Sequence, residues 1–130
     1  MIVVIDTNVW VSAPHFAMNR GKPRVSVEKA VREGTIAICT PIEDEILRIL
    51  TGKFGWKSEE AGKAVAAVLP LPLRVEITGA LHACRDPNDD MILECAVVAG
   101  AQNIVSGDKV LGSFRGIRIL TPAEFLQENS

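Results

Sequence analysis

Met1-Ile2-Val3-Val4-Ile5-Asp6-Thr7-Asn8 begins as an apolar run and stops on a carboxylate. Val3, Val4 and Ile5 are consecutive β-branched residues, the composition of a strand buried on both faces. In an open parallel sheet, the C-terminal strand ends border the crevice where ligands bind. Asp6 stands at such an end. Buried there without partners, its carboxylate costs several kcal/mol, so a cation or several hydrogen-bond donors should meet it. Alternatively, the side chain caps the next helix or closes an Asx-turn. This stretch by itself leaves both roles open.

Outward from this strand, helices and strands alternate. Val9-Trp10-Val11-Ser12-Ala13 starts a helix that Pro14 breaks, and Asn19-Arg20-Gly21-Lys22-Pro23 is a loop with local positive charge. Arg24 to Arg32 is helical, with Val27, Ala30 and Val31 as apolar positions. Thr35 to Cys39 is a second buried strand. Thr40-Pro41-Ile42-Glu43 then predicts a helix with Thr40 as N-cap, Pro41 at the first helical position and Glu43 closing a capping box. That helix runs to Leu50 and ends before Gly52. Another runs from Ser58 through Leu69, stopped by Pro70, and Leu73 to Ile77 is a short strand. His82 to Asp90 is a polar loop, Met91 to Ala99 an almost wholly apolar helix ended by Gly100. Asn103 to Ser106 and Ile117 to Leu120 are strands, and Thr121-Pro122 opens a terminal helix. Apolar strands alternating with helices imply an α/β fold, a parallel sheet covered on both faces.

The chain's 130 residues suffice for one domain spanning 1–130. Hydrophobic residues make up 48% and charged residues 23%, as in an ordinary globular protein. A net charge of −2 argues against a basic nucleic-acid-coating protein. It leaves room for a nucleic-acid enzyme whose carboxylates are neutralised by metal. Cys39, Cys84 and Cys95 are odd in number and lack metal-site spacing, which favours reduced thiols in the cytoplasm. No apolar run approaches the length of a membrane span, and no export signal is seen.

The acids fall at strand and helix ends. Asp6 and Asp108 follow strands, Asp89 and Asp90 open an apolar helix, and Glu43, Asp44 and Glu45 lie in the first turns of another. A parallel sheet brings all of these to one edge. From Asp89, the apolar residues Ile92, Leu93 and Ala96 follow at i+3, i+4 and i+7, which sets Asp89 at the end of the core stripe. Asp90 lies about 100° round the helix, toward solvent. Glu45 borders the Ile42–Ile46–Ile49 stripe, with Asp44 and Arg48 on the far side, but the wheel does not separate Glu43 from Glu45. Clustered carboxylates repel one another, and hard divalent cations reverse that cost. Oxygen ligands without His or Cys favour Mg²⁺ or Mn²⁺, which can activate water against a phosphodiester. Capping remains the alternative for each acid.

These residues together resemble the PIN-domain family of nucleases. The resemblance rests on Asp6-Thr7-Asn8, on Glu45 opening Glu-Ile-Leu-Arg-Ile-Leu, and on Arg85-Asp86-Pro87-Asn88-Asp89-Asp90. It rests also on Ile104-Val105-Ser106-Gly107-Asp108-Lys109, followed by Gly116 to Leu126. It implies a three-layer α/β/α sandwich with a central, mostly parallel sheet and an acidic Mg²⁺ or Mn²⁺ site of Asp6, Glu45, Asp89 and Asp108. Thr7, Asn8 and Ser106 match supporting positions. The implied activity is metal-dependent endoribonuclease cleavage of single-stranded RNA by metal-activated water. The implied setting is a cytoplasmic, homodimeric toxin held by a cognate antitoxin. Asn88 departs from the family pattern, which often has a further Asp there.

Two other classes compete. An Asp-centred phosphatase or phosphotransfer domain would use Asp6 as nucleophile, but generally wants a second acid where this chain has Asn8. A non-catalytic PIN-like binding module would use its acids only as caps. His15 and His82 lie in no catalytic arrangement and read as structural. Cys84 beside Arg85 has no paired base, which argues against a nucleophile.

Overall fold

The computed structural model describes residues 1–15, 22–68, 72–84, 86–107 and 113–128. The elements in order are β1 (Ile2–Ile5), α1 (Thr7–His15), α2 (Lys22–Glu33), β2 (Thr35–Ile38), α3 (Thr40–Gly52) and α4 (Ser58–Val68). Then follow β3 (Leu73–Arg74), α5 (Pro87–Ala99), β4 (Asn103–Val105), β5 (Ser113–Phe114), β6 (Ile117–Leu120) and α6 (Pro122–Gln127). The described strands form one sheet of six, ordered β3-β2-β1-β4-β6-β5.

The sheet is parallel except for β5, which pairs antiparallel with β6. The β1 register, Val4 opposite both Ala37 and Ile104, puts the most apolar strand at the centre. Val3, Val4 and Ile5 are all at most 1% exposed, as a strand covered on both faces must be. Right-handed crossovers require helices on both faces. α5 lies on β1 and β2, while α1 packs on α2 and α3, and α2 on α6.

Several element ends differ from expectation for identifiable reasons. α1 starts at Thr7 and continues through Pro14 to His15, so proline sits in its last turn instead of ending it. The N-cap of α3 is Cys39, in extended conformation and without a side-chain cap. Thr40 is already helical, and no capping box forms, because Glu43 pairs instead with Arg74 of β3 at 2.6 Å. α3 also includes Gly52. α5 starts at Pro87, earlier than its apolar run, because Asp86 caps it by accepting a hydrogen bond from the Asn88 amide. Its end at Gly100, in the left-handed conformation, is as expected. β3 is shorter than expected: beyond Arg74 only the Val75 amide continues the ladder, donating to Ile38. β5 was not foreseen. It is two residues long and joins β6 through Arg115 and Gly116, both at positive φ. The capping box of α6, Thr121 with Glu124, is present in both arms. Leu69, at the expected end of α4, lies outside the described residues.

Two buried polar devices hold the periphery. Lys29 of α2, 7% exposed, donates to the carbonyls of Phe125 (2.7 Å) and Glu128 (2.6 Å), and its ammonium lies 4.8 Å from the Phe125 ring centre. It therefore caps the C-terminus of α6, where a cation is favoured. Cys39 and Cys95 are both fully buried in the core. The neighbouring Cys39 thiol, and then burial, push the Cys95 thiol up. Trp10 is buried in the core. Among the described residues, no helix is long and apolar enough to cross a membrane.

Candidate active site

Asp6 leaves β1 at the C-terminal edge of the sheet. Its amide donates to Val105 (2.8 Å), and its carbonyl accepts from the Val9 and Trp10 amides, so the backbone turns directly from strand into helix. This turn fixes the carboxylate beside the end of β4. There, Ser106 Oγ donates to Asp6 Oδ2 at 2.7 Å, with both residues buried. Ser106 is in turn held by its amide, which donates to Leu120 of β6 at 2.8 Å. A hydroxyl donating to a buried carboxylate fixes its rotamer.

Thr7, 6% exposed, carries the one buried side-chain oxygen among the described residues that has no hydrogen-bond partner. Asn8 is exposed. Glu45 stands in the second turn of α3, which packs on α1, and its half-buried carboxylate pairs with Arg48 at 2.7 Å. Arg48 therefore reaches back one turn to Glu45, where the helical wheel had put it on the far side. Asp89 is in the first turn of α5 and half-buried. Asp108 lies outside the described residues, as do Lys109 and Arg85.

Parallel topology puts the ends of β1, β2 and β4, and the starts of the helices that follow β1 and β2, on one edge of the sheet. Asp6, Ser106, Thr7 and Glu45 stand along it. The described acids do not form a ready-made metal cluster: no three His, Cys, Asp or Glu among the described residues come together as ligands. Asp6, Glu45, Thr7 and Ser106 offer carboxylate and hydroxyl oxygens, which suit Mg²⁺ or Mn²⁺. An unpartnered, buried Thr7 hydroxyl beside Asp6 fits the same chemistry, since such a group calls for a further oxygen or ion.

Other acids near this edge are accounted for structurally. Asp90 is buried, contrary to the solvent-facing position expected from the helical wheel. Its Oδ1 accepts from the Ala83 (2.8 Å) and Cys84 (2.7 Å) amides, so the loop before α5 folds over it. The single-stripe wheel fails because α5 is buried all along Ile92–Ala96. Glu94, a turn further on, accepts from the amides of Thr78 (2.6 Å), Gly79 (3.1 Å) and Leu81 (3.4 Å) and from Thr78 Oγ1 (3.2 Å). The Thr78 amide above all holds the Glu94 carboxyl below the usual range. No sequence signal marked Asp90 or Glu94 as loop anchors; charge inside an apolar helical run was the only available hint. Burial, with Asp90 and Asp89 nearby, pushes the Cys84 thiol up, which disfavours a nucleophilic thiolate. His82 is exposed, and the His15 side chain lies outside the description.

Comparison with known proteins bears on the fold and the family. Among solved structures, the fold is similar to VapBC2 from Rickettsia felis bound to a DNA fragment from their promoter. The TM-score is 0.61 at 17% identity, with 93% of this chain and 98% of that chain covered. No curated protein matches by sequence. A family model described as "PIN domain" matches residues 2–110, from β1 past Ser106 and Asp108, and the chain therefore belongs to the PIN domain family.

Proposed function

We propose that the protein is a Mg²⁺- or Mn²⁺-dependent endoribonuclease acting on single-stranded RNA, and the toxin of a toxin–antitoxin pair. One observation carries the site: Asp6, a buried strand-end carboxylate held by Ser106 at 2.7 Å, in a chain matched by the PIN domain model. Asp6, Glu45, Asp89 and Asp108 would hold the cation, which when bound polarises a phosphodiester and lowers the pKa of water. Ser106 keeps the Asp6 carboxylate oriented. Thr7, next in sequence, carries a buried hydroxyl without a hydrogen-bond partner, and Asn8 is exposed. Glu43, Asp90 and Glu94 are not among the acids of the family resemblance; Arg74 engages Glu43, and loop amides engage Asp90 and Glu94.

The toxin reading draws on the fold shared with VapBC2. A cognate antitoxin as partner, a homodimer as assembly, the cytoplasm as location and a single domain over 1–130 belong to the same reading. The phosphotransfer alternative lacks its second acid, because Asn8 occupies that position.

The test is divalent-cation titration of the purified protein with thermal melting, followed by incubation with single-stranded RNA. Mn²⁺ should raise the melting temperature and support cleavage. Asp6→Asn and Asp89→Asn should each lose both effects. Cleavage by these variants at the wild-type rate would show that the site is wrong.

A further inference from the structure

The Arg48 side chain is 70% exposed, yet its guanidinium turns back to Glu45, whose side chain is only 15% exposed. Nη1 meets Oε2 at 2.7 Å across one helical turn, and Arg48 is the sole ion-pair partner of Glu45 among the described residues. Arg48 also lines a shallow groove of about 240 Å³, together with Asp44, Leu47, Thr51 and Ser58. One side chain thus both pairs with a candidate ligand and borders a groove along α3.

Resting on the ribonuclease reading above, we infer that Arg48 is a positioning residue that exchanges partners. It neutralises Glu45 while the acidic site is empty of cation, gives up Glu45 when a divalent cation is taken up, and then holds an RNA phosphate next to the scissile one. The physical reasons are three. Two cationic groups on one carboxylate repel each other, so Arg48 and a divalent cation compete for Glu45. The pair uses a single oxygen at the surface, which makes it weak and easily opened. The released guanidinium keeps a planar fork of donors that matches phosphate geometry, which an ammonium does not. Asp44 in the same groove repels a polyanion, so a phosphate is tolerated there only with Arg48 turned toward it.

Arg48→Gln tests the exchange, because removing a merely structural surface ion pair has no reason to strengthen metal binding. Mn²⁺ binding is measured by calorimetry without RNA, and binding of a short phosphorothioate single-stranded RNA is measured in Mn²⁺ over a range of salt. The variant should bind Mn²⁺ about two- to five-fold more tightly, the fold-change that corresponds to one surface ion pair. It should bind RNA more weakly, with a salt slope smaller by about 0.7, the loss of one phosphate contact. Unchanged or weaker Mn²⁺ binding in Arg48→Gln, or an unchanged salt slope, overturns the inference. If the wild type itself takes up no Mn²⁺, it is the reading of the acidic site that falls.

Discussion

Ser106→Ala probes a contact that fixes the Asp6 carboxylate from the end of the neighbouring strand β4. The substitution removes a single oxygen at a residue 4% exposed and leaves a void smaller than a methyl group. What it deletes is a donor at 2.7 Å to a buried carboxylate. A hydrogen bond to a charged group contributes about 1.5–3 kcal/mol net. With about 2.1 cal/mol/K of unfolding entropy per residue, a chain of 130 residues melts about 5–11 °C lower for that loss. Urea denaturation in chelator should show the same loss as a lower midpoint with an unchanged slope. Cation binding should fall with it, because groups that orient metal ligands typically carry about 10–100-fold of affinity. Both readouts are needed: a stability loss alone marks Ser106 as a packing residue. A variant within about 0.5 kcal/mol of wild type, the usual range for inert substitutions, with unchanged Mn²⁺ affinity, would refute the positioning role.

Other substitutions separate scaffold from site. Lys29→Met should destabilise by about 2–4 kcal/mol in urea denaturation, since two α6 carbonyls lose a charged donor; hydrogen exchange should show the lost protection concentrated in 122–128, and uniform loss would contradict the capping role. Glu94→Gln should be less stable than wild type at neutral pH, with the gap closing in acid. The sign follows from the lowered carboxyl: its contribution is present above the ordinary glutamate range and is lost as pH falls through the folded value. A gap that stays constant from about pH 6 to pH 3 counts against it. Asp90→Asn should loosen the loop at Ala83 and Cys84 and speed alkylation of Cys84 by iodoacetamide, since Asp90 both holds that loop and raises the thiol; unchanged alkylation would show that the loop is held otherwise.

The parts of this protein that were legible in sequence are those in which one local rule acts alone. Val3-Val4-Ile5 has to be a central strand because no other arrangement buries three branched residues in a row, and it does occupy the middle of the sheet. Thr121, Pro122 and Glu124 form their capping box because all three groups lie within one turn. Thr40, Pro41 and Glu43 carry the same signature and fail, because Arg74, distant in sequence, offers Glu43 a charged partner. The misreading of Asp90 has the same origin. A helical wheel ranks faces by the hydrophobicity of neighbours on one helix, whereas Asp90 and Glu94 are buried by amides of the segment 78–84 folding over them. Sequence displays an acid's charge and hides its donors. Glu43, Asp90 and Glu94 illustrate this: Arg74 or loop amides engage them, and none belongs to the acids that the family resemblance singles out. Asp6 shows another case: the Ser106 hydroxyl that holds it orients a carboxylate and brings no positive charge of its own.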